Sequence, residues 1–280
     1  MMSIWKSPEG ERAVVAEYER VAARWPVPLE RLTVKTRLGS TAVLAWGEPA
    51  APAVVFLHGS VSNATSWVGE AARFAGYRAY APDMPGDAGR SEAVRAPLDG
   101  EVYIEWLDDV LGALGVDRPA LVGISLGGWL ALRWTAARPE RTRGLVMLCP
   151  SGLAPGRVSF LVKAMLLAPF GKAGSRAMVR MAFGNEPVDP EAIRITALMG
   201  AHFRPRMEAL PLVPDDEIRR LSMPVLFIGG DKDALVRTKE GASRLARLVP
   251  GADVRVLPGR GHAIVDQGDV ILGFLDAIDR

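Results

Sequence analysis

Five consecutive residues carry the clearest chemical signal in this chain. Residues 123–127 read G-I-S-L-G, so that a glycine stands two positions before and two positions after a serine. An apolar run at 120–122 precedes them and a helix-like stretch follows. A turn that passes so tightly from strand to helix strains its central residue and needs small neighbours, which Gly123 and Gly127 supply. The pattern predicts an exposed Ser125 hydroxyl at the carboxyl edge of a sheet; the plainer interpretation is a glycine-rich turn without chemistry.

A base is needed before a serine hydroxyl can act as a nucleophile, and histidine is the usual base because its pKa lies near neutrality. The chain has three histidines. His262 lies in a glycine-containing loop after a strand predicted at 253–257, at the sheet edge expected for Ser125. His58 ends another strand and is better placed to shape a turn, and His202 is expected on a surface or lid. We therefore predict that His262 is the base.

A carboxylate must orient the imidazole and stabilise its charged form. The strand predicted at 225–228 runs into a loop with two aspartates, Asp231 and Asp233. Asp233 is our choice from its spacing to Gly230, whereas Asp231 is expected to stabilise the loop. A metal-binding loop is a weaker alternative, because no further carboxylates follow at ligand spacing. The chain order serine, aspartate, histidine is that of α/β-hydrolases and differs from both common protease orders.

Two backbone N–H groups are predicted to hold the oxyanion that forms when a carbonyl is attacked, because fixed amides reorganise little. One belongs to Leu126, the residue after the predicted nucleophile. The other belongs to Ser60, after the strand predicted at 53–57, where Gly59 lets the backbone turn. An ordinary turn is the alternative for this second segment.

Composition narrows the classes of protein. The 280 residues include 34 basic and 32 acidic side chains, a net charge of +2, and 49% are hydrophobic. Because the charges nearly balance, we expect no strong electrostatic field that would favour binding to nucleic acid or to a membrane surface. No apolar run has membrane-spanning length, and the first dozen residues lack the apolar centre of a secretory signal. The single cysteine, Cys149, precludes an internal disulfide and is expected to pack as a small hydrophobe. We expect a soluble, cytoplasmic protein of unknown oligomeric state.

Apolar strands alternate with amphipathic helices along most of the chain, which predicts a mostly parallel sheet covered by helices on both faces. An N-terminal helix at 8–24 and an antiparallel hairpin at 31–46 come first. The predicted strands are 53–57, 77–81, 120–124, 144–148, 224–228 and 253–257, and the predicted helices are 64–75, 102–114, 126–137, 238–248 and from 268 onward.

The alternation breaks after Pro150. Residues 151–220 contain helix-like segments and five of the ten methionines, but no convincing buried strand. We predict a helical cap inserted into a core domain made of residues 1–150 and 221–280; more helical core is the alternative. Flexible methionines suit an adaptable binding surface. The residues predicted to line a substrate pocket are Trp67, Trp129, Met165 and Phe183, although each tryptophan also fits a position in the core.

The combined motifs resemble the α/β-hydrolase superfamily over nearly the whole chain. The matching segments are 58–59, 83–91, 123–128, 230–233 and 261–262. Within the superfamily the chain is similar to bacterial carboxylesterase-like members, which share the Trp-Pro-Val-Pro stretch at 25–28 and the Gly-Asp turn at 86–87. Many relatives have a single residue between the glycines where this chain has Asp87 and Ala88, a difference in loop shape that touches no catalytic role.

The resemblance implies a helical cap over the active site and a serine hydrolase that cleaves a small, hydrophobic carboxylic ester without a metal or organic cofactor. Rival reactions on the same three residues are carbon–carbon bond, lactone or thioester hydrolysis and perhydrolysis. A serine at position 125 disfavours the haloalkane and epoxide branches, which use an aspartate nucleophile. A ligand-binding or signalling module without catalysis is the alternative from another class.

Overall fold

The computed structural model describes residues 3–157, 163, 166–167, 170–183, 190–264 and 266–280. Its helices are α1 (Pro8–Ala22), α2 (Val102–Ala113), α3 (Leu126–Ala137), α4 (Gly171–Phe183), α5 (Pro190–His202), α6 (Asp215–Ile218), α7 (Thr238–Leu248) and α8 (Gly268–Ile278). Its strands are β1 (Leu29–Thr36), β2 (Gly39–Gly47), β3 (Ala53–Leu57), β4 (Arg78–Pro82), β5 (Ala120–Ile124), β6 (Gly144–Leu148), β7 (Val225–Gly230) and β8 (Asp253–Leu257).

Within the described chain these strands form one sheet in the order β1-β2-β4-β3-β5-β6-β7-β8. The first two are an antiparallel hairpin, and β2 also pairs antiparallel with β4. All pairs from β4 to β8 are parallel. The carboxyl ends of β3, β5, β7 and β8 therefore lie at one edge, which confirms the predicted α/β fold and brings together loops that are far apart in sequence.

Both faces of the sheet are buried, as its near-continuous apolar strands require. Alternation along β3 shows the division: Val54 and Phe56 pack into one core cluster, whereas Val55 and Leu57 pack into the other. The first cluster includes residues of α1 and α8, and the second includes residues of α2, α3 and α7. The turns that carry polar side chains are thus anchored between two apolar layers.

One predicted helix was wrong. The segment 64–75 consists of two short 3-10 helices, Ala64–Trp67 and Ala71–Phe74. Its backbone hydrogen bonds join residues three positions apart. For example, the N–H of Val68 donates to the carbonyl of Thr65 at 3.1 Å. Gly69 interrupts the run between them, and glycine disfavours a continuous α-helix by about 1 kcal/mol relative to alanine.

Between β6 and β7 the described residues form α4, α5 and α6. A partly buried ion pair joins α5 to α1, since the guanidinium of Arg194 donates to a carboxylate oxygen of Glu17 at 2.6 Å. Trp5 packs edge-on against Phe203 with ring centroids 5.6 Å apart. Trp5 and Glu17, from the N-terminal part of the chain, therefore contact α5 and the residue that follows it. The division into a core and an inserted cap remains a prediction.

No helix in the described part of the chain combines the length and apolar character needed to cross a bilayer.

Candidate active site

The turn at Ser125 joins β5 directly to α3 under tight steric constraint. Ser125 has φ 53° and ψ −108°, in the region that side chains rarely adopt. A Cβ added at Gly123 would lie 2.4 Å from the carbonyl oxygen of Gly127, and one added at Gly127 would lie 2.1 Å from that of Leu57. Only glycine fits either position, so the two glycines of the motif are explained by close backbone approach.

Ser125, His262 and Asp233 form a continuous chain of hydrogen bonds. The Nε2 atom of His262 lies 2.9 Å from the Oγ of Ser125, and its Nδ1 lies 2.7 Å from Oδ2 of Asp233. Because the carboxylate can only accept, Nδ1 carries the proton and Nε2 is the acceptor for the serine hydroxyl. The structure thus brings together three side chains that follow three different strands.

Asp233 is fixed as an anion in a buried position. Its Oδ1 accepts hydrogen bonds from the backbone N–H groups of Leu235 at 2.7 Å and Val236 at 2.9 Å. Burial alone would raise the pKa of this carboxyl, but the hydrogen bond and charge of His262, with the two N–H groups, leave the pKa below its usual value. The neighbouring Asp231 instead accepts from the N–H of Gly259 at 2.7 Å, a loop contact such as the sequence predicts for it.

The loop after β3 lies beside the serine. A Cβ added at Gly59 would be 3.6 Å from the Cβ of Ser125, and Ser60, the next residue, is exposed. Leu126 is the first residue of α3, so its N–H has no partner within the helix and the positive end of the helix dipole lies there. An oxyanion at this point would meet a favourable field, and the assignment of Ser60 and Leu126 as its two donors remains a prediction.

The imidazole ring of His58 contacts the backbone of this loop and of the loop after β4. It is fully buried, its Nδ1 lies 2.8 Å from the carbonyl of Gly59, and its Nε2 accepts from the N–H of Met84 at 2.9 Å. Burial lowers the pKa of His58 to about 4, so the ring is neutral at physiological pH. His58 therefore links the loops after β3 and β4, while His202 ends α5 close to Gly10 of α1.

The extra residue in the loop after β4 is accommodated by internal hydrogen bonds. Asp87 is 9% exposed and its Oδ1 accepts from the N–H of Ala88 at 2.9 Å. The carbonyl of Ala88 accepts in turn from the side-chain amide of Asn63 at 2.8 Å. Burial raises the pKa of Asp87 to about 7, against the effect of the Ala88 N–H. These contacts couple the longer loop to the segment that follows Ser60.

The structure describes the side chains of two of the four predicted pocket residues, Trp129 and Trp67. Trp129 lines a small pocket with Leu126 and Tyr103, and its indole N–H donates to the carbonyl of Pro211 at 3.0 Å. Trp67 is 6% exposed and packs against Phe56 with ring centroids 5.0 Å apart, which favours the core alternative for it. Met165 and the side chain of Phe183 lie outside the described residues.

Two features near the site were not predicted from the sequence. The carbonyl of Ala182 in α4 accepts from the backbone N–H groups of His262 at 2.7 Å and Ala263 at 3.1 Å. A backbone contact of this kind cannot be read from residue types. The second is Cys149, which follows β6 and is fully buried as expected, but beside Asp233 and His262. Its position after a strand at the same sheet edge was the signal available.

The fold and motifs agree with a known family. The model of the alpha/beta hydrolase family matches residues 54–273 of this chain. The match covers well over half of the sequence and includes all three residues of the hydrogen-bonded chain. The protein therefore belongs to the alpha/beta hydrolase family, as its motifs predict.

Its similar relatives include bacterial carboxylesterases. Carboxylesterase YbfK of Bacillus subtilis is 26% identical over 258 residues, which cover 88% of this chain and 86% of that protein. The crystal structure of the carboxylesterase CesB (YbfK) from Bacillus subtilis superposes with a TM-score of 0.85 at 24% identity, over 96% of this chain and 98% of that one. The naproxen esterase of the same organism gives a TM-score of 0.84 at 24% identity, over 98% and 100%.

A shorter match is to a protein whose name describes another kind of hydrolase. The 2-hydroxy-6-oxo-6-phenylhexa-2,4-dienoate hydrolase of Burkholderia cepacia is 35% identical over 106 residues, which cover 36% of this chain and 37% of that protein.

Proposed function

We propose that this protein is a serine hydrolase that cleaves carboxylic esters through Ser125, His262 and Asp233. The observation that carries the proposal is the pair of hydrogen bonds at His262, 2.9 Å to the serine hydroxyl and 2.7 Å to the carboxylate. Both distances lie within the range that proton transfer requires. The carboxylesterase names of the relatives support the same reaction.

The reaction proceeds in two halves. The hydroxyl of Ser125 attacks the ester carbonyl while Nε2 of His262 takes its proton, and Asp233 stabilises the imidazolium that forms. The N–H groups of Ser60 and Leu126 hold the negative charge on the carbonyl oxygen. His262 then gives its proton to the departing alcohol, which leaves an acyl group on Ser125. Water, activated by the same imidazole, releases the acid, and no metal or organic cofactor takes part.

Residues 151–220 act in this proposal as a cap over the site, inserted into the core made of residues 1–150 and 221–280. The contact between Ala182 and the histidine loop supports that placement. The small pocket beside Leu126 and Trp129 is lined mostly by apolar groups, with Asp87 and Arg206 as its charged members. We propose from the apolar part of this lining that the substrate is a small, uncharged, hydrophobic ester. With one cysteine and a net charge of +2, we further propose a cytoplasmic enzyme that acts on a small molecule and not on nucleic acid.

A second candidate is carbon–carbon bond hydrolysis of a dienoic acid, favoured by the 106-residue match to the dienoate hydrolase. The same residues could also serve lactone or thioester hydrolysis. We prefer ester cleavage because the carboxylesterase match extends over 258 residues.

Substrate panels and a covalent probe test the proposal. We expect turnover of short p-nitrophenyl esters and a fluorophosphonate adduct on Ser125. The Ser125→Ala variant should fold but lose at least about 10³-fold in kcat. Ser243→Ala, an exposed serine on α7, is the matched control and should keep full activity. Turnover of a ring-fission dienoate alone would favour the second candidate. A protein that forms no adduct and turns over nothing would be a binding module.

A further inference from the structure

Cys149 is a buried nucleophile for which the proposed reaction has no use. It follows β6 with φ 42°, in the left-handed region that a residue with a side chain rarely adopts, and it is fully buried. Its thiol lies 3.8 Å from the carbonyl of Gly261, the residue before His262. Burial raises the pKa of this thiol well above its usual value.

Three kinds of metal ligand converge at this point. The Sγ of Cys149, a carboxylate oxygen of Asp233 and a ring nitrogen of His262 all lie within 4.8 Å of one another. Zinc binds sulfur at about 2.3 Å and nitrogen or oxygen at about 2.0–2.2 Å in tetrahedral sites, so its ligand atoms stand about 3.3–3.8 Å apart. Binding would draw the more distant donors together by at most about 1–1.5 Å and would separate Nδ1 of His262 from Oδ2 of Asp233, which lie 2.7 Å apart. No other such group occurs in the part of the chain that the structure describes.

We propose that Cys149, Asp233 and His262 form a binding site for a thiophilic divalent cation, Zn²⁺ or Cd²⁺, whose occupation blocks the base. The cation displaces the proton of the Cys149 thiol, which passes to solvent, and the proton on Nδ1 of His262, which moves to Nε2 so that the imidazole stays neutral. A water molecule completes four-coordination. No electron is transferred, the bonds broken are S–H of Cys149 and Nδ1–H of His262, and one proton is released for each cation bound.

Charge balance explains why such an ion is tolerated in a buried position. One thiolate and one carboxylate neutralise a divalent cation, so the filled site carries no net charge into the low-dielectric interior. The thiolate selects Zn²⁺ and Cd²⁺ over the hard cations Mg²⁺ and Ca²⁺, which prefer oxygen ligands. His262, at 8% exposure, is the most exposed member of the cluster, against 3% for Asp233 and 0% for Cys149.

Occupation would disable the imidazole in two ways. The metal on Nδ1 breaks the 2.7 Å hydrogen bond to Asp233 that orients the ring. With the cation on Nδ1 the neutral ring carries its proton on Nε2, so Nε2 has no lone pair left to accept the serine proton. Inhibition therefore rests on the proposed function, but metal binding itself does not.

Ultraviolet absorption of the cadmium–thiolate bond tests the site directly in the purified full-length protein. We expect one equivalent of Cd²⁺ to produce the charge-transfer band in the wild type and none in Cys149→Ser or Cys149→Ala. Calorimetry should show Zn²⁺ affinity at least about tenfold weaker in both variants, since even a lost supporting contact costs that much at a metal site. His202→Ala, which removes a histidine remote from the cluster, is the matched control and should bind as the wild type.

The outcomes separate this site from the enzyme proposal. A wild type without the band, or a Zn²⁺ affinity unchanged in the cysteine variants, would overturn the metal site. Asp233→Asn provides an independent check if the cysteine variants do not fold, and it too should weaken Zn²⁺ binding at least about tenfold. If the protein shows the cadmium–thiolate band but no esterase activity, the metal site is supported and the proposed reaction is contradicted. In an active enzyme, Zn²⁺ but not Mg²⁺ should slow fluorophosphonate labelling of Ser125.

Discussion

The serine turn and the histidine loop are held in different ways. Ser125 follows the central strand β5, and its backbone N–H donates to the carbonyl of Leu148 on β6 at 2.9 Å. His262 follows β8, the last strand of the sheet, and its N–H donates to Ala182 in α4. The nucleophile is thus fixed by the core sheet, whereas the base depends on an element from the segment between β6 and β7.

The two segments should therefore differ in their tolerance of substitutions. A residue that is wedged between strands and helix cannot move without unfolding its surroundings, because packed interiors do not yield gradually. A loop at the sheet edge can shift by an ångström while the fold persists. We therefore expect changes at the serine turn to affect stability, and changes at the histidine loop to affect activity first.

The largest effect is expected from Gly127→Ala. The added Cβ would lie 2.1 Å from the carbonyl oxygen of Leu57, and a backbone atom cannot give way as a flexible side chain can. We expect little or no folded protein, measured by circular dichroism and soluble yield. Gly112→Ala on the exposed side of α2, where a Cβ meets nothing within 4 Å, should instead stabilise by about 0.5–1 kcal/mol. A normally folded Gly127→Ala variant would show that the turn is less constrained than its geometry indicates.

Asp233→Asn removes the negative charge behind the imidazole and favours the wrong ring tautomer. By analogy with the same change in a Ser-His-Asp protease, kcat should fall about 10⁴-fold. Thermal melting should show a folded protein, because the asparagine oxygen can still accept from Leu235 and Val236. Asp231→Asn on the same loop is the control and should keep most of the activity. A small loss of kcat in Asp233→Asn would mean that another group orients His262.

Gly230→Ala tests the histidine loop. Its Cβ would lie 2.2 Å from the carbonyl oxygen of Gly261 and 2.3 Å from that of Arg260, so the loop must move outward. We expect kcat to fall about 10²-fold, as for a misplacement of about 1 Å, with a melting temperature that changes little. Gly259→Ala, in open space with φ 77°, should cost about 1 kcal/mol of stability and leave kcat nearly unchanged. Unfolding of Gly230→Ala would show that this loop is as rigid as the serine turn.

The smallest effect is expected where α1 holds α5. Hydrogen bonds from Arg20 and Arg194 lower the pKa of Glu17 to about 2. Its contribution to stability is therefore present above the unfolded pKa of about 4.3 and is lost as the pH falls toward 2. Because both arginines are partly exposed, solvent screening leaves about 1 kcal/mol for Glu17→Gln at pH 7. Urea melts should show this difference at pH 7 and its disappearance near pH 2. Glu48→Gln, at an exposed position outside α1, should show no difference at either pH.

Much of the fold could be predicted from residue patterns alone. The positions of the apolar strands along the chain followed from runs such as 120–124, because a strand buried on both faces must be apolar throughout. The helix predicted at 64–75 was wrong, since short-range periodicity cannot distinguish α from 3-10 bonding. Trp67 shows the same limit for the site. Its position near the predicted oxyanion loop in the sequence does not indicate into which of the two core clusters its ring packs.

Local constraints can be read directly from the residues of single segments. Gly123 and Gly127 permit a turn that other residues would block, and the apolar runs dictate a sheet with two covered faces. The distances between groups from different segments required the folded structure. The 2.7 Å and 2.9 Å contacts of His262, the carbonyl of Ala182 on its backbone and the thiol of Cys149 beside it join segments far apart in the chain. Such distances depend on how layers pack and on where loops leave the sheet, and neither is encoded in the spacing of residues along one segment.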